Sequence, residues 1–161
     1  YMFDHTVIVA KDDPAIFRFN ELNERGIIQL RIVSATGAEK FAELANHLKE
    51  RNIDSIILGQ SHSEGEELKK IKLLAPKIID FSNQDLDCLA TTASKAIGAI
   101  GNDTGPTFIA AAAGCPITWL LSSHTDPNIT QLLGSKVNTL KKDNISDITT
   151  DEVKNNLALR D

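Results

Sequence analysis

The chain has 161 residues, of which 42% are hydrophobic and 24% are charged, and its formal net charge is −5. This composition is typical of a globular domain with a sizeable core and excludes a disordered chain, while the negative charge argues against a dedicated nucleic-acid-binding protein. No run reaches the ~18 apolar residues that cross a bilayer, so we expect no transmembrane segment.

The first 29 residues fit the rest of the chain poorly. They contain a strand pattern over residues 6–10, then an acidic turn and a helical pattern that ends at Arg25 and Gly26. We interpret residues 1–29 as a leading strand–helix segment or linker, and residues 30–161 as one domain. The opening residues carry no basic region followed by a long apolar one, so no signal peptide is predicted.

Apolar runs of strand length alternate with helical patterns through the rest of the chain. Strands and helices that alternate in this way predict right-handed βαβ units. We therefore expect an α/β fold, a Rossmann-like three-layer sandwich with a mostly parallel sheet. The predicted strands cover residues 30–33, 55–58, 77–81, 96–100, 117–121 and 136–140, and the predicted helices cover 39–51, 66–75, 85–94, 106–113 and 150–159.

Residues 101–116 carry the strongest functional signal in the sequence. They place a polar turn with two glycines between a buried strand and a helix of small residues. Pro106 suits the first helical position, and Asp103 or Thr104 can cap the helix. Free N–H groups and the helix dipole at such a start favour a phosphate or carboxylate. The alternative is a strand–turn–helix unit that only packs.

Ligands of parallel α/β sheets bind beyond the carboxyl ends of the strands. The loops predicted at that edge are polar, and three of the four contain glycine; they cover residues 34–37, 59–66, 101–106 and 122–127. Within the last loop, His124 and Thr125 are candidate ligand contacts.

Residues outside the loops are interpreted as structural. Cys88 and Cys115 have no metal-type spacing and are predicted to be buried free thiols in a reducing compartment. Trp119 lies in an apolar strand pattern and is predicted to be core. Near the end of the chain, Thr149 and Glu152 form a capping-box pattern that starts a helix.

Four segments, in order over roughly residues 30–159, resemble the carboxyl-terminal, donor-binding half of the glycosyltransferase family 9 lipopolysaccharide heptosyltransferases. Residues 101–116 match the most distinctive motif of that family. The other three likenesses are residues 41–45, the triplet Thr125-Asp126-Pro127, and residues 147–153.

The resemblance implies one half of a GT-B type glycosyltransferase, an enzyme of two Rossmann-like domains. This half would bind a nucleotide-diphosphate sugar such as ADP-heptose, for transfer to a lipopolysaccharide core acceptor held by the second domain. The catalytic base is expected on that missing N-terminal domain, so no catalytic residue is assigned in this chain. The family implies no metal or other cofactor, and a cytoplasmic location or a peripheral one at the inner face of the inner membrane.

By the same resemblance, Asp103, Thr104, Gly105 and Thr107 form the donor diphosphate site. The backbone of this turn and the Thr104 hydroxyl can donate hydrogen bonds to phosphate. Asp103 is itself an anion, so we assign it to holding the turn through an Asx-type bond from the Gly105 N–H.

A carboxylate commonly grips a ribose diol in dinucleotide-binding folds. Glu64 and Glu66 are the candidates for the donor ribose or base, although a solvated helix start explains them equally well.

Two departures from the family pattern keep further functions open. Phe108 stands where the family usually has a histidine, and residues 34–37 replace a segment that usually carries a basic residue and a tryptophan–proline pair. These changes favour a non-catalytic nucleotide-binding or regulatory module that kept the fold. A structural interaction domain is the remaining alternative.

Overall fold

The computed structural model describes residues 27–31, 38–58, 65–80, 85–103 and 105–161. Six parallel strands in these residues form one sheet in the order β3-β2-β1-β4-β5-β6. This is the strand order of a doubly wound fold, in which the order reverses between β1 and β4. The predicted α/β class with a parallel sheet is therefore confirmed. The strands are β1 (Ile27–Arg31), β2 (Asp54–Leu58), β3 (Ile79–Asp80), β4 (Gly98–Gly101), β5 (Ile117–Leu121) and β6 (Val137–Lys141).

Helices cover both faces of the sheet. Successive strand residues point to opposite faces, and in β5 Leu120 joins one core cluster whereas Trp119 joins the other. The Leu120 cluster contains residues of α1, α2 and α5, and the Trp119 cluster contains residues of α3 and α4. The helices are α1 (Ala38–Glu50), α2 (Gly65–Leu74), α3 (Leu86–Lys95), α4 (Gly105–Ala112) and α5 (Thr150–Asn155).

The core predictions for single residues are confirmed. Trp119 is 2% exposed, and Cys88 and Cys115 are buried free cysteines. Burial raises the pKa of the Cys115 thiol to about 12, so this residue stays protonated and is not a nucleophile. In the described residues no helix has the length and apolar character needed to span a membrane.

Several predicted boundaries are wrong by a few residues. β1 begins at Ile27, ahead of the predicted start at residue 30, and α4 begins at Gly105, so that Pro106 is its second residue. β3 begins at Ile79, after the predicted start at residue 77, because the Ile78 N–H donates to the Ala75 carbonyl in a turn. The strand predicted over residues 6–10 lies outside the described residues.

The last helix also ends earlier than predicted, at Asn155. Beyond it the chain is held against the amino ends of the central strands. The Ala158 N–H donates to Thr118 Oγ1 at 2.9 Å, and the Arg160 N–H donates to the Ile97 carbonyl at 2.7 Å. Tertiary hydrogen bonds of the backbone thus replace the last predicted turn of helix.

Candidate functional site

The predicted anion-binding turn lies at the point where the strand order reverses. β4 is paired with β1 on one side and β5 on the other, all in parallel. Their carboxyl ends therefore share one edge of the sheet, where ligands of this fold bind. At this edge the structure describes the loops after β4, β5 and β6, apart from Thr104. Residues 34–37 and 59–64 lie outside the described residues.

Close packing fixes the turn between β4 and α4. Thr107 is 3% exposed, and a Cβ added at Gly101 would clash with its hydroxyl oxygen. Only a glycine at position 101 lets the first turn of α4 approach the end of β4 so closely. The Thr107 side chain is thus buried against the strand, so any contact of this residue with a ligand would come through its backbone.

The start of α4 is open and carries no acid. A Cβ added at Gly105 would meet none of the described residues within 4 Å. The first turn of α4 contains no acidic residue, whereas the first turns of the other four described helices each contain at least one. Because a carboxylate there would compete with an anionic ligand for the same N–H groups, α4 is the described helix whose start best suits a phosphate.

A hydrogen bond joins the two loops that the sequence predicted at this edge. The Thr125 hydroxyl donates to Asp103 Oδ2 at 2.9 Å. Asp103 and His124 are exposed, and Thr125 is half-buried. The sequence placed both loops at one edge, but nothing in it identified this pair. The predicted bond from the Gly105 N–H to Asp103 stays a prediction.

The predicted ribose contact Glu66 lies in the first turn of α2, at the same edge of the sheet. Its carboxylate pairs with Lys69 at 3.2 Å, and its side chain is 87% exposed. This geometry agrees both with an available ligand group and with a solvated helix start. Glu64 and Thr104 lie outside the described residues, so their assigned roles stay predictions.

Two lysines near this edge, one in the first turn of α1 and one after β6, already have partners. Lys40 of α1 donates to the Ser146 carbonyl and, at 2.8 Å, to the Ile148 carbonyl. Lys142 pairs with Glu152 at 2.9 Å. Neither the Lys40 nor the Lys142 contact was anticipated from the sequence. Among the described side chains, these two lysines are therefore not free for an anion beside α4, which could use the backbone N–H groups of the helix start and the exposed imidazole of His124.

Phe108 has a structural role. Its ring meets the buried Trp119 ring edge to face, with the centroids 6.2 Å apart and the planes at 83°. Aromatic pairs in this arrangement stabilise a core beyond their buried area. The side chain at position 108 thus packs α4 against β5 and offers no polar group to a ligand.

Comparison with known sequences identifies a family. The sequence model of Glycosyltransferase family 9 (heptosyltransferase) matches residues 37–158. Comparison with curated proteins gives no sequence match.

Solved structures share the fold. A glycosyl transferase family 9 protein from Veillonella parvula superimposes with a TM-score of 0.77 at 16% identity, over 92% of this chain and 51% of that one. E. coli heptosyltransferase WaaC with ADP gives a TM-score of 0.72 at 19% identity, over 81% of this chain and 42% of that one. The same enzyme with ADP-2-deoxy-2-fluoro heptose gives 0.69 over the same shares. The chain thus spans about half of these structures, and its fold matches a part of these glycosyltransferases.

Proposed function

Because the family match covers most of its length, this chain belongs to glycosyltransferase family 9, and we propose that it binds the nucleotide-diphosphate sugar donor of a sugar transfer. The observation that carries the proposal is the start of α4. It lies where the strand order reverses, has open space at Gly105 and contains no first-turn acid. A diphosphate at this point would accept hydrogen bonds from the first-turn N–H groups and face the positive end of the helix dipole.

We further propose that the donor is an ADP-linked sugar of the heptose type. Support comes from the family match and from the E. coli heptosyltransferase, whose structures contain ADP and an ADP-heptose analogue. A carboxylate at Glu64 or Glu66 would bind the ribose diol. A lipopolysaccharide acceptor and the catalytic base would belong to a second domain, since this chain spans about half of the solved structures that it matches.

The chemical role of this chain would be to stabilise the leaving group. When the bond between the sugar and the diphosphate breaks, negative charge builds up on the departing phosphate oxygen. N–H groups that are already aimed at that oxygen lower the barrier, because they need no reorganisation as the charge develops. In this proposal Gly105 and Thr107 supply backbone N–H groups, Thr104 supplies its backbone and hydroxyl, and Asp103 shapes the turn. No metal is needed for this step.

Calorimetric titration with ADP, AMP and UDP tests the proposal. We expect ADP to bind, AMP to bind at least 10-fold more weakly because it lacks the second phosphate, and UDP to reveal how far the base is selected. The variant Gly105→Asp should weaken ADP binding at least 100-fold by placing a carboxylate in the phosphate site. It should leave the fold intact, since aspartate is favourable in the first turn of a helix.

A matched variant controls for the added charge. Asn155→Asp adds the same negative charge at an exposed residue at the end of α5. The ADP affinity of this variant should equal that of the wild type. Equal loss in both variants, or no binding of any nucleotide diphosphate to the wild type, would overturn the proposal.

The non-catalytic nucleotide-binding module remains a second candidate. It is favoured by Phe108, whose ring packs on Trp119 and supplies no polar group at the site. Because the transferase proposal places the catalytic base and the acceptor on a second domain, the two functions are separated by an assay of ADP release from ADP-heptose with a lipopolysaccharide acceptor, run on this chain joined to such a domain. Release above the rate without protein favours the transferase, and tight ADP binding without release favours the module.

A further inference from the structure

The contact between the two site loops depends on one side chain from each. The Thr125 hydroxyl, from the loop after β5, donates to the carboxylate of Asp103. Asp103 lies two residues after the end of β4 and follows the buried Asn102. We infer that Thr125 is a positioning residue for the donor site, acting through Asp103 rather than by touching the ligand. This inference rests on the proposed function, because it assigns a role within the same site.

The loop that carries Thr125 is itself held in place, as a positioning element must be. Its first residues are tied to the loop after β6, because the Ser123 N–H and hydroxyl both donate to the Asp143 carbonyl, at 3.3 and 3.1 Å. The backbone of Thr125 is itself held by a hydrogen bond, because its N–H donates to the Ser122 carbonyl at 3.3 Å.

A tight turn fixes the other side of Thr125. The Asp126 carboxylate accepts from the Asn128 N–H at 2.9 Å, and the Asp126 carbonyl accepts from the Thr130 N–H at 2.8 Å. The Thr125 hydroxyl is therefore presented by a loop that is hydrogen-bonded on both sides before any ligand arrives.

Asp103 is the point at which this support can reach α4. Before it, the chain is fixed by the close packing of Gly101 against Thr107. Asp103 is exposed and lies two residues before Gly105, the first residue of α4. A hydrogen bond from a preformed loop would restrict the conformations of this turn, and such preorganisation raises affinity without a new ligand contact.

Threonine suits the inferred positioning role better than a longer, cationic side chain would. A lysine or arginine paired with Asp103 would place a long, mobile charge next to the phosphate site. Threonine is short and branched, so its hydroxyl has few rotamers to lose when it donates. The geometry thus favours fixing the turn over neutralising the carboxylate.

Two readouts on one set of variants test the inference. Thr125→Val removes the hydroxyl and keeps the shape, Thr125→Ser keeps the hydroxyl, and Asp103→Ala removes the acceptor. Hydrogen–deuterium exchange of peptides covering residues 102–108 is measured without ligand. We expect exchange to be several-fold faster in Thr125→Val and in Asp103→Ala, and close to wild type in Thr125→Ser.

ADP titration of the same variants then tests the link to the site. We expect Thr125→Val to weaken ADP binding about 10-fold, Thr125→Ser to restore most of the affinity, and the Thr125→Val, Asp103→Ala double variant to bind no worse than Asp103→Ala alone. Thr130→Val changes an exposed threonine of the same loop whose N–H bond to Asp126 is kept, and it should alter neither readout.

Each outcome supports or overturns either the inferred role of Thr125 or the proposed function. Unchanged exchange in Thr125→Val shows that the hydroxyl does not hold the turn and overturns the inference. A further loss of ADP affinity in the double variant shows that Thr125 contacts the ligand directly, which also overturns it. If exchange responds as expected but the wild type binds no nucleotide diphosphate, the coupling of the two loops stands and the proposed function fails.

Discussion

The first turns of α4 and α5 differ in the acceptors that they contain for their own N–H groups. Every helix begins with N–H groups that have no acceptor within the helix. At α5 the chain supplies the acceptors itself: Thr149 Oγ1 accepts from the Glu152 N–H at 3.1 Å, and the Glu152 carboxylate accepts from the Thr149 N–H at 2.9 Å. At α4 the first turn contains no acid, and none of the described residues fills the space beside Gly105.

The difference separates a helix start that completes the fold from one that suits a ligand. α3 resembles α5, because the Asp85 carboxylate accepts from the Cys88 N–H at 2.8 Å. These starts gain stability from their own side chains and have little left to offer an anion. The first turn of α4 has no acid of its own, and it lies where the strand order reverses and ligands of this fold bind. Substitutions at the two kinds of helix start should therefore differ in their effects on ADP affinity and on the free energy of unfolding.

The largest effect on stability should come from Gly101→Ala, which breaks the packing behind the α4 start. The added methyl group would clash with the buried Thr107 hydroxyl, and overpacking of this kind costs about 1–3 kcal/mol. Urea denaturation should show this loss of free energy of unfolding, and ADP affinity should fall with it because the helix start is displaced. A variant as stable as the wild type would show that Thr107 can move aside.

A smaller effect is expected from Thr149→Ala, which breaks the start of α5. Loss of an N-cap hydroxyl costs about 1 kcal/mol, whereas Thr149→Ser should cost little because serine caps equally well. ADP affinity should be unchanged in both variants, since α5 supplies no ligand contact in the proposed site. A parallel loss of ADP affinity in Thr149→Ala would contradict the separation of the two helix starts.

A still smaller effect, of opposite sign, is expected from Gly105→Ala at the start of α4. The added methyl group meets nothing within 4 Å, and alanine loses less backbone entropy on folding, so we expect a gain of about 0.5 kcal/mol. ADP affinity should stay within a few-fold of the wild type, because the N–H group is kept. A large loss of ADP affinity would show that the ligand lies against the Gly105 Cα.

Hydrophobic patterning was sufficient to predict the fold and to bring the loops of the candidate site to one edge of the sheet. Strands such as residues 117–121 are buried on both faces, so their apolar runs are continuous and bounded by polar turns. Boundaries failed where tertiary contacts decide them. α5 ends at Asn155 because the backbone beyond it forms hydrogen bonds with Thr118 and Ile97. The local sequence pattern does not indicate either partner.

The candidate site was predicted from the sequence only as a set of loops. The turn after β4 has a recognisable local pattern, with glycines and a helix start. The bond between Asp103 and Thr125 joins residues 22 positions apart, and it depends on the rotamer of each side chain and on the path of two loops. Likewise, the sequence shows Phe108 only as a departure from the histidine that the family usually has at this position. In the structure its ring packs against Trp119.

The smallest effect concerns pH and applies to the start of α5 alone. The Thr149 N–H and the Lys142 ammonium lower the pKa of the Glu152 carboxyl from 4.5 to about 2. A carboxyl whose pKa is lower in the folded state contributes stability that is complete above its unfolded pKa and is lost as the pH falls toward its folded one. Between about pH 4.5 and pH 2, the wild type should therefore lose more stability than Glu152→Gln.

Urea denaturation across this pH range measures the difference between the two proteins. Glu50→Gln, at the exposed end of α1, serves as the matched control and should follow the wild-type curve. If Glu152→Gln also follows that curve, the capping box does not depend on the ionised carboxylate. At neutral pH both variants should bind ADP as the wild type does, because a helix start completed by its own carboxylate has no part in holding a diphosphate.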